Sequence, residues 1–219
     1  MEAPGVCRPL LPGLGALLPF AAQHNPWPLL CSVTTVPSGV PERDIRNLAL
    51  IGFMGTGKST VGHLVAVQLR FALVDTDRLI ESAAGKTISD IFAQDGEPSF
   101  RAYERRVLEE LGHRRDTVVA TGGGLGASSA NIASLKRHAL VICLWAPAEV
   151  IWERVRHHGH RPLLQVSNPK ERIAELLALR EPIYREADVL MDTSHRHSRE
   201  LAQQVIHHFL TATGKPPSE

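Results

Sequence analysis

Residues 52–59 read Gly-Phe-Met-Gly-Thr-Gly-Lys-Ser and match the phosphate-binding loop pattern of Gly, four residues and Gly-Lys-Ser/Thr. The loop follows the uninterrupted apolar run 48–51, as expected of a strand that is buried on both faces of a parallel sheet. After the loop, apolar residues recur at helical spacing (Val61, Leu64, Val65 and Leu69). Because glycines let successive backbone N–H groups face phosphate oxygens at a helix N-terminus, this strand, loop and helix predict a nucleoside triphosphate site.

Within this loop, Lys58 is expected to reach the β- and γ-phosphates, and the Ser59 hydroxyl is expected to ligate Mg²⁺. A Gly-rich turn that precedes a helix by chance is the alternative, and the correct sequences on both flanks argue against it. The predicted nucleotide contacts in this part of the chain are Gly55, Thr56, Gly57, Lys58, Ser59 and Thr60.

Four further apolar runs follow at 71–74, 118–120, 139–145 and 189–191, and helical patterns separate them. Strands that alternate with helices predict an α/β fold with three layers, α/β/α, around a central five-stranded parallel sheet with right-handed connections. Together with the phosphate loop, this architecture predicts a P-loop NTPase fold. The guanine-reading pattern Asn-Lys-x-Asp is absent from the sequence, which argues against a GTPase.

Polar or glycine-rich sequences follow two of these runs. Asp75-Thr76-Asp77 ends the second, and because residues i and i+2 of a strand face one side, the two carboxylates are expected to project together. One would hold Mg²⁺ through water, while the other would accept a proton from an attacking hydroxyl group; a solvated acidic turn is the alternative. Residues 122–124 are three glycines after the third run, where a ligand can approach the backbone closely unless they form only a mobile linker.

Two arginine-containing stretches are candidate anion sites. Arg101 and Glu104 are neighbours on one helix face, either as a surface ion pair or as an Arg held so that its fork can grip a substrate carboxylate. Residues 154–161 form the most basic stretch of the chain and predict a cationic lid, over about 154–168, that closes over the triphosphate and excludes water.

Composition bounds the remaining expectations. The formal net charge of +1 gives no reason to expect nucleic-acid binding, and no apolar run is long enough to span a membrane. Three cysteines without metal spacing, with Cys143 inside an apolar run, indicate a reducing compartment and hence the cytoplasm. Residues 1–46 hold eight of the fifteen prolines and are predicted to be a poorly ordered extension, with plastid import as the alternative. Residues 214–219 are predicted to be a tail.

Taken together, the motifs of residues 47–209 closely resemble those of the shikimate kinase family. The family's elements occur in order along this sequence: Gly52-Phe-Met-Gly-Thr-Gly-Lys-Ser-Thr-Val-Gly62, Asp75-Thr-Asp77, Ile91-Phe92 with Gly96-Glu97 and Phe100-Arg101-x-x-Glu104, Gly122-Gly-Gly124, Arg161-Pro-Leu-Leu164, and Arg180-x-x-x-Tyr184. The resemblance assigns residues 47–213 to a P-loop domain of the nucleoside-monophosphate-kinase type, with sheet order 2-3-1-4-5. It implies a monomer that phosphorylates the 3-hydroxyl of shikimate with ATP and Mg²⁺.

Site residues follow from the resemblance by matched position. On the substrate side, Asp77 would hold the shikimate hydroxyls and act as the base, and Arg101 and Arg180 would clamp the carboxylate beside Gly122, Gly123 and Gly124. On the nucleotide side, Asp75 would act on Mg²⁺ through water and Arg161 would stabilise charge on the transferring phosphoryl group. Arg154 would lie near the adenine, and Arg196 would provide a C-terminal nucleotide contact.

Two alternatives remain. A gluconate kinase shares the phosphate loop and the acidic second strand, but the Arg101, triple-glycine and Arg161 motifs favour shikimate. A non-catalytic shikimate kinase-like binding protein is the other alternative, and the presence of Lys58, Asp77, Arg101 and Arg161 argues against it.

Overall fold

The computed structural model describes residues 43–122, 124–157 and 166–214 of the chain. Several sequence-based predictions therefore lie outside the described residues. They concern the extension over residues 1–42, Gly123, the lid residues 158–165 with Arg161, and the tail over 215–219.

The centre of the fold is one parallel sheet, as the alternation of strands and helices predicts. Its strands lie in the order β2-β3-β1-β4-β5, which confirms the order implied by the family resemblance. In chain order the strands are β1 (Asn47–Ile51), β2 (Ala72–Asp75), β3 (Thr117–Ala120), β4 (Ala139–Trp145) and β5 (Val189–Asp192).

Helices connect the strands within the described ranges. The α-helices are α1 (Lys58–Leu69), α2 (Thr76–Ala84), α3 (Ile88–Asp90), α4 (Gly96–His113), α5 (Ser129–Lys136), α6 (Ala148–Val155), α7 (Pro169–Tyr184) and α8 (Ser198–Thr213). A single π-helical turn, Ile91–Asp95, joins α3 to α4, and the 3-10 turn Leu125–Ala127 precedes α5. None of the helices in these ranges combines the length and apolarity that crossing a bilayer would require.

Side chains of β1 point alternately to the two faces of the sheet and so enter two separate cores. Leu48 and Leu50 pack in the cluster that contains α1 and α8, whereas Ala49 and Ile51 pack in the cluster that contains α2, α4, α5, α6 and α7. Every residue of β1 is buried, because helices cover both faces. The result is the predicted three-layer arrangement.

Strand register determines which loops meet at the carboxyl edge of the sheet. Asp75 of β2 pairs with Ala120 of β3, and Leu50 of β1 also pairs with Ala120. The loops that leave these three strands therefore begin side by side. Ligands bind at this edge in open α/β sheets.

Candidate active site

The phosphate loop forms the centre of this edge. Its backbone takes positive φ angles at Gly52, Gly55 and Gly57, as a loop that turns its N–H groups inward requires. Lys58 begins α1 and folds back over the loop, where its Nζ donates to the carbonyl oxygens of Gly52 (2.8 Å) and Phe53 (2.9 Å).

The remaining hydroxyl residues of the loop divide into an inner and an outer set. Thr56 is buried, and its Oγ1 donates to the Phe53 carbonyl at 2.8 Å, so its side chain closes the loop from within. Ser59 and Thr60 lie in the first turn of α1 with their side chains exposed. Their exposure leaves Ser59 accessible to a metal ion or a nucleotide.

Asp75 occupies a helix cap rather than an ordinary strand position. It is the last residue of β2 and also the N-cap of α2, and its Oδ1 accepts from the backbone N–H groups of Asp77 (3.0 Å) and Arg78 (3.3 Å). Asp77 therefore belongs to the first turn of α2. The strand-based argument for Asp75 and Asp77 is wrong, because the Asp75 cap ends the extended backbone before Asp77 is reached.

Asp77 nevertheless lies inside the site. Burial raises the pKa of its carboxyl from 3.8 to about 6; the charge of Asp75 acts in the same direction, and that of Lys58 acts against them. The backbone of Gly122 touches this carboxylate, since a Cβ built on Gly122 would lie 1.7 Å from Asp77 Oδ1. A residue with a Cβ would therefore displace the Asp77 carboxylate from this position.

Thr76 links the two strand ends and is a site residue that sequence reasoning missed. Its side chain is fully buried, and its Oγ1 accepts from the Gly122 N–H at 2.8 Å. This bond holds Gly122 against Asp77. The sequence shows only a small hydroxyl residue between two aspartates at a strand end. This pattern does not reveal that Thr76 bonds to Gly122.

Arg101 is anchored at one end of α4. Its Nη1 donates to Oε2 of Glu104 at 2.7 Å, while its Nη2 (2.9 Å) and Nε (3.2 Å) donate to Oε1 of Glu97. The Glu104 side chain is 2% exposed and that of Arg101 is 41% exposed, so a buried carboxylate fixes a guanidinium that still reaches the surface. The structure contains the Glu104 pair that the sequence predicted. It adds Glu97, which the i,i+4 spacing could have revealed.

Charge balance in this group is set by burial and pairing. Burial raises the pKa of Glu104, and the hydrogen bond from Arg101 opposes that shift. For Arg101, burial is the largest single influence and lowers the pKa, but the hydrogen bonds and charges of Glu104 and Glu97 together raise it. The charge of Glu104 also reaches Asp77 and raises the pKa of that carboxyl. The arginine anchor and the candidate base are thus electrostatically connected.

Arg180 lies near the end of α7 and contacts the phosphate loop. Its guanidinium carbon is 5.3 Å from the centroid of the Phe53 ring, a cation–π distance, and Phe53 is buried. Burial raises the pKa of the neighbouring Tyr184 to about 12, and the positive charge of Arg180 opposes this shift. The contact with Phe53 was not predicted, because the two residues are distant in sequence.

The two candidate nucleotide arginines differ in their surroundings. Arg154 Nη1 donates to the Gly55 carbonyl (3.3 Å) and to Thr193 Oγ1 (2.9 Å), and its Nη2 donates to the Thr193 carbonyl (2.6 Å). Arg196 instead donates from Nη1 to Oε1 of Gln204 on α8 at 2.6 Å. Arg154 therefore joins the phosphate loop directly, whereas Arg196 pairs with its own neighbouring helix.

Hard oxygen donors are available for Mg²⁺ at the phosphate loop. Asp75 presents a carboxylate whose Oδ1 alone is used for capping, and the Ser59 hydroxyl is exposed. Within the described ranges there is no cluster of three or more His, Cys, Asp or Glu residues that could hold a metal. Mg²⁺ sites in nucleotide-binding proteins take most of their other ligands from phosphates and waters.

Comparisons with known proteins agree with this geometry. The shikimate kinase family model matches residues 54–210. The chain is 44% identical over 165 residues to a shikimate kinase of Thermodesulfovibrio yellowstonii, covering 75% of this chain and 95% of that one. It is 43% identical over 169 residues to a shikimate kinase of Acinetobacter baylyi, covering 77% and 94%.

Solved structures give the same picture. A shikimate kinase from Acinetobacter baumannii in complex with shikimate superposes with a TM-score of 0.70 at 40% identity, covering 76% of this chain and 94% of that one. A gluconokinase from Sinorhizobium meliloti has a TM-score of 0.54 at 18% identity, covering 78% and 95%. The second similarity concerns the fold alone, so the gluconate alternative is not favoured.

Proposed function

This chain belongs to the shikimate kinase family, and we propose that it transfers the γ-phosphoryl group of ATP to the 3-hydroxyl of shikimate, giving shikimate 3-phosphate and ADP. The observation that carries the proposal is the half-buried carboxylate of Asp77, placed against Gly122 and within electrostatic reach of Lys58. A base beside a phosphate loop is the arrangement that phosphoryl transfer to an alcohol requires.

Asp77 accepts the proton of the attacking hydroxyl group in this scheme. The substrate oxygen then bonds to the γ-phosphorus while the bond to the β–γ bridging oxygen breaks, and ADP leaves. A carboxyl with a pKa of about 6 is ionised at neutral pH and is a stronger base than an ordinary aspartate. The Thr76–Gly122 hydrogen bond keeps the glycine backbone beside that carboxylate, so the substrate hydroxyls meet a fixed acceptor.

Arg101 and Arg180 bind the substrate carboxylate in the proposed complex. A guanidinium carries five N–H groups, and the contacts with Glu97 and Glu104 engage three of those on Arg101. Each Nη retains a second N–H, so the fixed fork can donate to a carboxylate. By family resemblance, the glycines at 122–124 line the same substrate site.

The nucleotide lies along residues 55–60, with Lys58 neutralising the β- and γ-phosphates and Arg154 beside the adenine. Ser59 directly and Asp75 through water would hold Mg²⁺, which when bound neutralises phosphate charge during transfer. Arg161 of the lid stabilises the transferring phosphoryl group, and Arg196 leaves Gln204 to contact the nucleotide. These last two roles are supported by matched position in the family.

We place the reaction in the cytoplasm and take the enzyme to be a monomer. Cys143 is a free thiol at the centre of β4, and burial raises its pKa to about 12, so it is an inert core residue. A free buried cysteine is consistent with a reducing compartment.

The direct test is coupled ADP release by purified protein with Mg-ATP and shikimate, gluconate or no acceptor. ADP release that depends on shikimate is the expected result. Release with gluconate alone would overturn the roles of Arg101 and Arg180. If ATP binds and no acceptor supports release, the non-catalytic alternative replaces the proposal.

Arg101→Lys is expected to raise the KM for shikimate by about 10–100-fold, because lysine cannot form the forked contact and loses a charge-assisted hydrogen bond. The KM for ATP should stay within about twofold, since Arg101 lies on the acceptor side of the site. Arg105→Lys, one turn along the same helix at an exposed position, is the matched control and should leave both constants unchanged. An unchanged shikimate KM in Arg101→Lys would contradict the assignment.

A further inference from the structure

Thr193 lies where three elements of the nucleotide site meet, and the proposed function gives it no role. It follows β5 directly and is 1% exposed. Its backbone N–H and its Oγ1 both donate to the Trp145 carbonyl at the end of β4, at 2.9 Å and 3.1 Å. Thr193 is thus fixed to the rigid carboxyl edge of the sheet.

The same residue receives two hydrogen bonds from one arginine. Arg154 Nη1 donates to Thr193 Oγ1 at 2.9 Å, and Arg154 Nη2 donates to the Thr193 carbonyl at 2.6 Å. The hydroxyl group accepts from Arg154 while it donates to Trp145, so its proton and one of its two lone pairs are used. A residue without this hydroxyl group keeps the bond from Arg154 to the backbone carbonyl but loses the one that passes through the side chain.

The other end of the arrangement is the tip of the phosphate loop. Arg154 Nη1 also donates to the Gly55 carbonyl at 3.3 Å. Gly55 packs tightly on the same turn of α6, since a Cβ built there would lie 2.7 Å from Val155 Cγ1 and 3.7 Å from Ile151 Cγ2. The last turn of α6, from which the chain enters the predicted lid, is therefore seated on the phosphate loop.

We propose that Thr193 is a positioning residue for nucleotide binding, which holds the Arg154 guanidinium against the phosphate loop. The three hydrogen bonds of Arg154 are made by N–H groups at the edge of its planar guanidinium group. The two flat faces of a guanidinium, and not its edge, stack on aromatic rings such as adenine. Ordering a long side chain costs conformational entropy, and Thr193 orders this one before the nucleotide arrives. The inference rests on the proposed function for the placement of adenine next to Arg154.

Thr193→Val removes the hydroxyl group with little change of shape and is expected to weaken Mg-ATP binding by about 3–10-fold, the loss of one hydrogen bond to a charged group. Thr193→Ser keeps the hydroxyl group and should bind within about twofold of wild type. Thr213→Val is the matched control, because that hydroxyl donates only to carbonyls of its own helix, Phe209 and Leu210. The KM for shikimate should not change in any of the three variants.

A double-mutant cycle separates positioning from a general structural role. Arg154→Met should weaken Mg-ATP binding, and adding Thr193→Val should weaken it by less than about twofold more, because Thr193 acts through the arginine. If the losses of Mg-ATP affinity in the two single variants multiply in the double variant, the proposal is overturned. It is also overturned if Thr193→Val binds Mg-ATP like wild type, or if Thr193→Ser binds it as weakly as Thr193→Val. Calorimetric titration with Mg-ATP alone measures the affinities of the cycle without turnover. A failure to phosphorylate shikimate would therefore refute the proposed function without affecting this test.

Discussion

Asp77→Asn is expected to lower turnover by about 10²–10⁴-fold while Mg-ATP binds nearly as tightly as to wild type. The substitution keeps the size of the side chain and removes the group that accepts the hydroxyl proton. In the proposed phosphate site, Lys58 Nζ donates to the loop carbonyls of Gly52 and Phe53, and these two bonds do not involve the substituted side chain. Single-turnover measurement of ADP formation, combined with calorimetric titration of Mg-ATP, separates the two effects. Near-normal turnover would remove Asp77 from the role of base.

The same substitution is expected to stabilise the nucleotide-free protein at neutral pH by about 1–3 kcal/mol. The pKa of Asp77 is about 6 in the folded state against an ordinary 3.8, so the folded protein binds this proton more tightly than the unfolded chain does. Stability is therefore lost as the pH rises from about 4 to about 6 and stays lost above that range. Asparagine carries no charge at any pH, so the Asp77→Asn protein does not lose stability through ionisation of this side chain.

Urea unfolding in EDTA, at neutral pH and near pH 4, measures this difference. The stabilisation in Asp77→Asn should be largest at neutral pH and should shrink as the pH falls to about 4 and below, where the Asp77 carboxyl is protonated in the folded protein and increasingly so in the unfolded chain. Glu109→Gln removes a carboxylate from an exposed position on α4 and is the control for a change in net charge alone. A constant difference across the pH range would show that burial of the charge is not its cause.

The parts of this fold that sequence predicts well are those fixed by neighbouring residues. The apolar run of β1, the glycine loop and the helical spacing of α1 lie within residues 47–69, and the structure places them as predicted. β4 also has the predicted bounds, Ala139–Trp145, because its long apolar run is buried throughout. The pairing of Arg101 with Glu104 belongs to the same class, since helical spacing alone makes them neighbours.

The contacts that complete the site are between residues distant in sequence, and periodicity does not reach them. Arg154 and Thr193 are 39 residues apart, and Arg154 and Gly55 are 99 apart. The prediction that Asp75 and Asp77 share one face of a strand was wrong for a local reason. The Asp75 side chain caps α2, so the chain becomes helical where the strand was expected to continue. The π-helical turn Ile91–Asp95 likewise follows no simple hydrophobic period.

Gly122→Ala is expected to impair catalysis strongly, because the added methyl group would occupy the position of the Asp77 carboxylate. The new Cβ would lie 1.7 Å from Oδ1 and 2.3 Å from Cγ of Asp77, so the carboxylate must leave its position or the β3 end must move. A displacement of about 1 Å at the base is expected to reduce kcat/KM for shikimate by about 10²-fold or more. Overpacking should also destabilise the fold by about 1–3 kcal/mol. Steady-state kinetics and urea unfolding measure the two losses.

The losses of kcat/KM and of stability in Gly122→Ala are expected to come from where the methyl group lies, and not from replacing a glycine as such. Gly112→Ala is the matched control within α4, because its Cβ would meet only His138 Cδ2 at 3.9 Å, and it should be neutral or slightly stabilising. In an Asp77→Ala background the clashing atoms are gone, so adding Gly122→Ala should then cost less than about 0.5 kcal/mol of stability. If the full cost persisted there, Asp77 would not be the group that Gly122 accommodates. A Gly122→Ala enzyme with wild-type kcat/KM would show that catalysis does not need the carboxylate where the structure places it.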